Sequence, residues 1–320
     1  MAQVAPPQPA SNRLLVQVQA VGLCGTDLKI IDGLLGEPPS LPLILGHEIA
    51  GVVVDGDDRL ASGTRVAVRG LQPCGRCHRC DRGLVTVCTS AAHLGFDLPG
   101  GLASVVSVAS SSAMPIPDTL GMAEAAVTMD AVSTTWRALR TRASVAEGET
   151  VVVCGAGGLG NSAIQIARCA GARVAAIDPS PAQRDAAVLV GADLAVAPAD
   201  AAHLLDWAAD SGIDVGVECS GTQRGFDTLS DLVSPGARIV CNGYRPGVDY
   251  GMDSGRLVLD EISILGSRNC TPAEASAALV AVADGRIRPF VSRTIDLDDV
   301  NDAIDLLRQG VVVGRIVLTP

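Results

Sequence analysis

Aromatic side chains are scarce in this 320-residue sequence: they make up 2% of the residues, although 48% are hydrophobic. The interior must therefore be built from Val, Leu, Ile and Ala, a composition that favours an α/β sheet protein. The length is more than one small domain needs, so we expect two domains.

Long apolar runs, a basic leader and net positive charge are also missing. Asp, Glu, Gly or Arg interrupts every apolar run before it could span a bilayer. Residues 1–11 have no basic region ahead of an apolar core, so they are not predicted to be a signal peptide. A formal net charge of −11 repels phosphate backbones and anionic lipids. We therefore expect a cytoplasmic protein without nucleic-acid or membrane partners.

Cysteine, in contrast, is well represented, with ten residues. In a chain without a secretory signal, cysteines are expected to be metal ligands and buried thiols rather than disulfides.

The sequence pattern changes along the chain. Residues 1 to about 130 contain short alternating strands between turns, which predicts a barrel-like β unit. From about Thr150 apolar runs alternate with helical stretches; the runs are TVVVC, RVAAID, DLAVA, IDVGVECSG, ARIVCNG and ISILGS. This rhythm predicts a doubly wound parallel sheet. Two helices, 272–284 and 298–309, and a last strand, VVVGRIVLT, are expected to return to the first domain.

A glycine-rich turn follows the first of these runs. It places Gly155, Gly157, Gly158, Leu159 and Gly160 between a predicted strand and a predicted helix. In such a fingerprint the first glycine permits the tight turn, the second lets the backbone approach a pyrophosphate, and the third lets helix and strand pack closely. The helix N-terminus adds amide donors. The pattern predicts a dinucleotide site.

The next predicted strand ends at Asp178, where a carboxylate would accept the ribose hydroxyls and repel a 2′-phosphate. We therefore expect NAD to be preferred over NADP. Arg184 follows in the next helix and is a candidate for contacting a 2′-phosphate, with an ordinary surface arginine as the alternative. Asp178 itself has a solvated turn residue as its alternative.

Four cysteines lie close together in a turn-rich segment: Cys74, Cys77, Cys80 and Cys88. Four thiolates at this spacing can bind one tetrahedral zinc and leave no position for a substrate, so the site would be structural. Strained disulfides or free thiols are the alternatives, and His78 is a less favoured ligand.

A second constellation lies in the β-rich part, where Cys24, Thr26 and Asp27 form one motif and His47 and Glu48 the other. The spacing alone leaves a buried thiol and a core histidine as alternatives. Hydroxyl and carboxylate neighbours, which commonly orient metal ligands, favour a metal site.

Taken in order, GLCGTDLKI, GHEIAGVV, PCGRCHRCDRG and CGAGGLGNSAIQIA resemble the zinc-dependent medium-chain alcohol dehydrogenase superfamily. The resemblance begins near residue 13 and includes the C-terminal segment. It implies a GroES-like β-rich catalytic domain (1–131 and 269–320) and a Rossmann NAD-binding domain (132–268). It also implies a catalytic zinc, a structural zinc in the cysteine cluster, and self-association as a dimer or tetramer.

The resemblance further implies a role for each residue of the second constellation. Cys24 and His47 match zinc ligands, and Glu48 matches the carboxylate beside the zinc. Thr26 matches the hydroxyl that passes on the substrate proton, and Asp27 the carboxylate that orients the histidine.

Three departures from the family pattern stand out. Asp130 stands where most members have a Cys or Glu ligand, and aspartate is an acceptable third zinc ligand. The alternatives are that Glu48 completes the site or that the metal site is weakened. Lys29 stands where many members have a histidine that continues the proton relay, so it is a candidate relay or a cofactor-phosphate contact. The opening strands of the family are shortened, which could expose a sheet edge for self-association.

The expected activity is hydride transfer between NAD(H) and an alcohol or carbonyl substrate, with zinc as Lewis acid. One alternative is an NAD(P)H-dependent reductase of a C=N or activated C=C bond, or a dehydrogenase of a cyclic hydroxyl in a specialised metabolite. A second alternative is a non-catalytic NAD-binding homologue that lacks the catalytic zinc.

Overall fold

Two large sheets, one mostly antiparallel and one parallel, organise the molecule. A computed structural model describes residues 4–36, 38 and 41–320. The strands are β1 Arg13–Leu23, β2 Glu48–Asp55, β3 Arg65–Val68, β4 Leu71–Gln72, β5 Ala92–His93, β6 Val105–Ala109, β7 Ala113–Pro115, β8 Thr150–Cys154, β9 Arg173–Ile177, β10 Leu194–Val196, β11 Val215–Glu218, β12 Arg238–Cys241, β13 Ser263–Gly266, β14 Val291–Asp296 and β15 Arg315–Thr319.

Eleven α-helices accompany these strands in the described residues. They are α1 Gly25–Ile31, α2 His78–Asp81, α3 Met122–Val127, α4 Ser133–Trp136, α5 Gly158–Cys169, α6 Pro181–Leu189, α7 His203–Trp207, α8 Gln223–Leu232, α9 Ser254–Leu259, α10 Pro272–Ala283 and α11 Val300–Arg308. Two π-helical turns, Thr128–Val132 and Arg137–Arg142, flank α4.

The first sheet has seven strands, in the order β14-β15-β1-β2-β3-β7, with β6 also pairing with β1. The long strand β1 alternates buried and more exposed residues along its first half, which is why one face can line a core. That core is aliphatic and includes Leu14, Val16, Ile49 and Ile316. Because β15 pairs with β1, the end of the chain is built into the same sheet as its beginning.

The second sheet is parallel throughout, in the order β10-β9-β8-β11-β12-β13. All five residues of β8 are buried, as expected for a central strand covered on both faces. The predicted doubly wound parallel sheet is confirmed. The sequence order reverses between β8 and β11, and the carboxyl ends of these two strands are where ligands bind in such sheets.

The chain forms two compact units. The first contains the described residues of Met1–Ser133 together with Asn269–Gly285 and Val291–Pro320, and the second contains Thr134–Arg268 and Arg286–Phe290. These limits differ from the expected ones at residues 132–133 and 286–290. The short 286–290 segment belongs to the second unit because it bonds there: Gln165 Nε2 donates to Arg288 O over 3.0 Å.

The end of the chain differs in detail from the prediction. The last strand was expected over 311–319 but begins at Arg315, because Gly314 has a φ of +77° and interrupts an extended run. No described helix is long and apolar enough to cross a membrane. The first three residues of segment 1–11 lie outside the described part of the chain.

Candidate metal and dinucleotide sites

Cys24 lies at the junction of β1 and α1 in the first unit. Its backbone N–H donates a hydrogen bond to Asp27 Oδ2, in the first turn of α1, over 2.8 Å. Asp27 is fully buried, and its other oxygen lies 3.4 Å from the amide nitrogen of Gly46 and 3.4 Å from His47 Nδ1. One carboxylate therefore ties together the two segments that carry Cys24 and His47.

His47 and Glu48 enter the site where β2 begins. Glu48 is fully buried and pairs across the sheet with Gly22. A Cβ on Gly22 would lie 2.1 Å from Glu48 Oε2, so only glycine leaves room for this carboxylate.

Asp130 reaches the same place from the π-helical turn Thr128–Val132. Its Oδ2 lies 3.7 Å from Cys24 Sγ and 3.9 Å from His47 Nε2. Single π turns inside helices are often found at functional sites. The ligand atoms of Cys24, His47, Glu48 and Asp130 all lie within 4.8 Å of one another.

This spacing fits a tetrahedral metal ion. Zinc bonds of about 2.0–2.3 Å place neighbouring ligand atoms about 3.3–3.8 Å apart. The separations from Asp130 to Cys24 and His47 are close to that range, and the donors combine sulfur, nitrogen and oxygen. In addition, the buried atom Glu48 Oε2 has no hydrogen-bond partner among the described residues.

Arg315, which no sequence motif marks, brings a guanidinium to this cluster. It comes from β15, and its Nε donates to Glu48 Oε1 over 2.9 Å. Its Nη2 lies 3.6 Å from Asp130 Oδ2 and 3.7 Å from Cys24 Sγ. The side chain is 8% exposed, so this ion pair is shielded from solvent.

Burial and charge shift the proton affinities in this cluster. Burial raises the pKa of Glu48 to about 7, although Arg315 opposes the shift. Burial lowers the pKa of His47, but the adjacent Asp27 more than offsets this, so the pKa lies well above its usual value. Burial also lowers the pKa of Arg315, but Glu48, Cys24 and Asp130 raise it further and the guanidinium stays charged. A metal ion at this place would compete with these protons.

Two other rings pack against His47. The His93 and Phe96 ring centroids lie 5.7 Å and 5.3 Å from that of His47, all edge to face. A Cβ on Gly70 would meet His93 Cε1 at 2.7 Å, so glycine there makes room for His93. Burial lowers the pKa of His93 to about 4, which keeps this ring neutral near neutral pH.

The remaining residues of this constellation lie on α1. Thr26 Oγ1 is 3.6 Å from Cys24 Sγ, so its hydroxyl is beside the candidate metal position. Lys29 lies in the last turn of the same helix and is half-buried.

The four clustered cysteines converge in a separate lobe around α2. Sulfur atoms of Cys77 and Cys80, of Cys77 and Cys88, and of Cys88 and Cys74 are 3.7, 3.7 and 3.5 Å apart. Backbone N–H groups of Cys80 and Thr89 lower the pKa of Cys77 to about 5, whereas burial raises that of Cys80 to about 11. All ten cysteines are free in the structure.

The glycine-rich turn of the second unit connects β8 to α5. Gly155 has a φ of +91°. A Cβ on Gly160 would lie 1.9 Å from Gly155 O, whereas a Cβ on Gly157 would meet nothing within 4 Å. The third glycine therefore permits close packing, and the second leaves the backbone accessible. Gly158 and Leu159 form the first turn of α5.

Asp178 follows β9 beside this turn. Its Oδ2 accepts a hydrogen bond from the Ala156 N–H over 2.8 Å, and its Oδ1 accepts one from the Ser180 N–H over 2.9 Å. A carboxylate has further lone pairs for a ligand. Arg184 Nη1 donates to the carbonyls of Asp178 and Pro179 over 2.8 and 2.9 Å, so in this structure it braces the turn.

Two family models match the chain. The alcohol dehydrogenase GroES-like domain matches residues 10–118, and the zinc-binding dehydrogenase domain matches residues 158–284. An alcohol dehydrogenase of Geobacillus stearothermophilus is 32% identical over 99% of this chain and 94% of that protein.

The chain belongs to the zinc-dependent medium-chain alcohol dehydrogenase superfamily.

The chain is also similar to a reductase and to a dehydrogenase of known structure. The acryloyl-coenzyme A reductase of Metallosphaera sedula is 31% identical, over 99% of this chain and 95% of that protein. A solved NAD-dependent alcohol dehydrogenase superposes with a TM-score of 0.92 at 27% identity, covering 100% of this chain and 95% of the other. The expected superfamily and fold class are confirmed, and the chain is an oxidoreductase of this superfamily.

Proposed function

We propose that the chain is a zinc-dependent oxidoreductase that transfers a hydride between NAD(H) and an alcohol or carbonyl substrate. The observation that carries this proposal is the convergence of Cys24, His47, Glu48 and Asp130 in one buried cluster. An alcohol dehydrogenase among the relatives supports the substrate class.

In this proposal Cys24, His47 and Asp130 hold the catalytic zinc. Arg315 contacts both carboxylates, but it lies closer to Glu48 (2.9 Å) than to Asp130 (3.6 Å), which favours Asp130 over Glu48 as the third ligand. The chemistry that zinc supplies in such a site is Lewis-acid polarisation of a substrate oxygen. Asp27 orients His47, and the Thr26 hydroxyl, 3.6 Å from the thiol, is placed to accept and pass on the substrate proton. Lys29 is the candidate for the next position of that relay.

The second unit is proposed to bind the dinucleotide. The accessible backbone at Gly157 and the N-terminus of α5 suit a pyrophosphate. Asp178 favours NAD over NADP because a carboxylate repels a 2′-phosphate. We propose that Arg184 braces the turn that carries Asp178.

We further propose that Cys74, Cys77, Cys80 and Cys88 hold a structural zinc. Four thiolates at tetrahedral spacing leave no position for a substrate.

A second candidate, reduction of an activated C=C bond, is favoured by one relative, the acryloyl-coenzyme A reductase. The two activities differ in the bond that accepts the hydride, which is C=O in one and C=C in the other.

A substrate panel separates the two. The zinc-loaded chain is assayed with NADH against ketones, cyclic imines and activated alkenes, and with NAD against primary, secondary and cyclic alcohols. Ketone reduction with alcohol oxidation is the expected result. Alkene or imine reduction without ketone reduction would contradict the alcohol proposal, and a lower KM for NADPH than for NADH would contradict the cofactor preference.

A further inference from the structure

A buried carboxylate with no part in the metal cluster lies at the carboxyl end of the parallel sheet. Glu218 is the last residue of β11 and is fully buried. It pairs in register with Cys154, the last residue of β8, so it lies where the strand order reverses. Open parallel sheets bind their ligands at this point.

The Glu218 carboxylate gathers donors from two loops. Oε1 accepts from the Ser220 N–H over 2.9 Å, from the Gly221 N–H over 3.0 Å and from the Ser220 hydroxyl. Oε2 accepts from the Tyr250 hydroxyl over 2.8 Å. Tyr250 is held in turn by stacking on Phe226, with ring centroids 4.8 Å apart.

The backbone of Glu218 is hydrogen-bonded to a third segment, which follows β12. Its carbonyl oxygen accepts from the N–H groups of Asn242 and Gly243, each over 2.8 Å, at the end of β12. A Cβ on Gly243 would lie 2.7 Å from Cys219 O. One residue thus fixes the segments after both β11 and β12.

The segment after β11 contacts the glycine-rich turn directly. A Cβ on Gly155 would lie 2.7 Å from the Ser220 nitrogen, so the two backbones touch. Residues 219–221 therefore border the pyrophosphate turn at the carboxyl end of the sheet.

We propose that Glu218 is a positioning residue for the dinucleotide, which holds the backbone of residues 219–221 as the second wall of the crevice. This inference rests on the proposed dinucleotide binding. A carboxylate is needed because a single side chain must accept from several donors, and an unsatisfied buried N–H costs more than its bond contributes.

Two substitutions at this position separate acceptor capacity from size. Glu218→Gln keeps one acceptor oxygen, and Glu218→Met keeps the length without an acceptor. We expect the dissociation constant for NADH, measured by calorimetry on the full chain, to rise about threefold for Glu218→Gln and about tenfold or more for Glu218→Met. Tyr250→Phe removes one donor and should raise it about threefold.

Glu149→Gln is the matched control. Glu149 pairs with Arg238 over 2.5 Å at the amino ends of β8 and β12, away from the crevice edge. It should lower the unfolding temperature but leave NADH affinity within a factor of about two.

Equal NADH affinity for the wild type and the Glu218 and Tyr250 variants would overturn the inference, as would equal weakening by Glu149→Gln. If Glu218→Met does not fold, Glu218→Gln and Tyr250→Phe decide the outcome. Failure of the wild type to bind either NADH or NADPH would remove the proposed function and this inference together. Wild-type binding with unaffected variants would remove only the inference.

Discussion

At the scale of single residues, the charge balance around Arg315 distinguishes the metal cluster from an ordinary polar core. Cys24, Asp27, Glu48 and Asp130 can all be anionic, and Arg315 is the cation that faces three of them. Even with Arg315 and a protonated His47, the four potential anions outnumber the cations of this cluster, which favours a divalent cation. Arg315 lies closer to Glu48 than to Asp130, so Asp130 is the less tightly paired carboxylate and the preferred ligand.

Loss of Arg315 should be costly. In Arg315→Leu the Glu48 carboxylate keeps its burial and loses its partner, so we expect a destabilisation of about 3–5 kcal/mol in urea unfolding. Arg308→Leu is the control, because its ion pair with Asp32 is about half exposed. That variant should lose less than about 1 kcal/mol. Similar losses of unfolding free energy in both variants would show that the buried pair contributes no more to stability than the exposed one.

Arg315 could not be found from the sequence because nothing local marks it. It lies in a strand read as apolar, and its partner Glu48 is 267 positions away. Glu218 was missed for a related reason: it ends an apolar run, and its role depends on loops that the sequence does not place. The four clustered cysteines, in contrast, form a local motif that predicts a zinc site, whereas the metal roles of Cys24 and His47 were predicted from the family resemblance.

At the scale of elements, the glycine-rich turn shows how one motif serves both packing and binding. Gly160 lets α5 approach β8, whereas Gly157 leaves its backbone accessible. The two glycines should therefore respond differently to the same added methyl group.

Gly160→Ala should destabilise the chain by about 1–3 kcal/mol because the methyl group collides with the Gly155 carbonyl. Gly157→Ala should leave unfolding unchanged, since its φ of −72° suits alanine, but should weaken NADH binding. Urea unfolding and calorimetry on both variants test this contrast. Two results would refute this division of roles between the glycines. One is weaker NADH binding without destabilisation in Gly160→Ala, and the other is destabilisation by Gly157→Ala.

Continuous buried runs made the strands of the parallel sheet predictable. The runs that became β8, β9 and β12 were recognised because both faces of a central strand are covered. The π turn that carries Asp130 was not predicted. In a short apolar helix, its wider turn leaves no recognisable hydrophobic periodicity. The position of Asp130 came from the family resemblance instead.

The cysteine lobe is the element most dependent on a metal. Its helix α2 has four residues and none is buried, so zinc would supply much of its stability. Cys88→Ser should let trypsin cleave the native chain after Arg76, Arg79 or Arg82, as read by fragment masses. Asp130→Asn should not, because it alters only the other cluster. Equal resistance of Cys88→Ser and the wild type would argue against a structural zinc.

At the scale of the whole molecule, the exposed edge strand β13 suggests how copies associate. Ile264 is 41% exposed on this edge, and Val258 and Leu259 on the neighbouring α9 are 68% and 84% exposed. An unpaired edge with apolar neighbours favours pairing with a second chain. The dimer or tetramer is a proposal, and the edge strand offers a test of it.

Ile264→Lys should convert the oligomer to a monomer in analytical ultracentrifugation, because it places a charge on the pairing edge. Val311→Lys, at a valine that is 62% exposed and outside any strand, is the control and should keep the oligomer. A wild type that is already monomeric, or an oligomer that survives Ile264→Lys, would contradict this arrangement.

Zinc stoichiometry tests the central claim most directly. We predict about two zinc ions per chain by plasma mass spectrometry, and about one in both Asp130→Asn and Cys88→Ser, lost from different clusters. A wild type with about one zinc, kept in Asp130→Asn and lost in Cys88→Ser, would instead describe a dinucleotide-binding homologue without a catalytic metal.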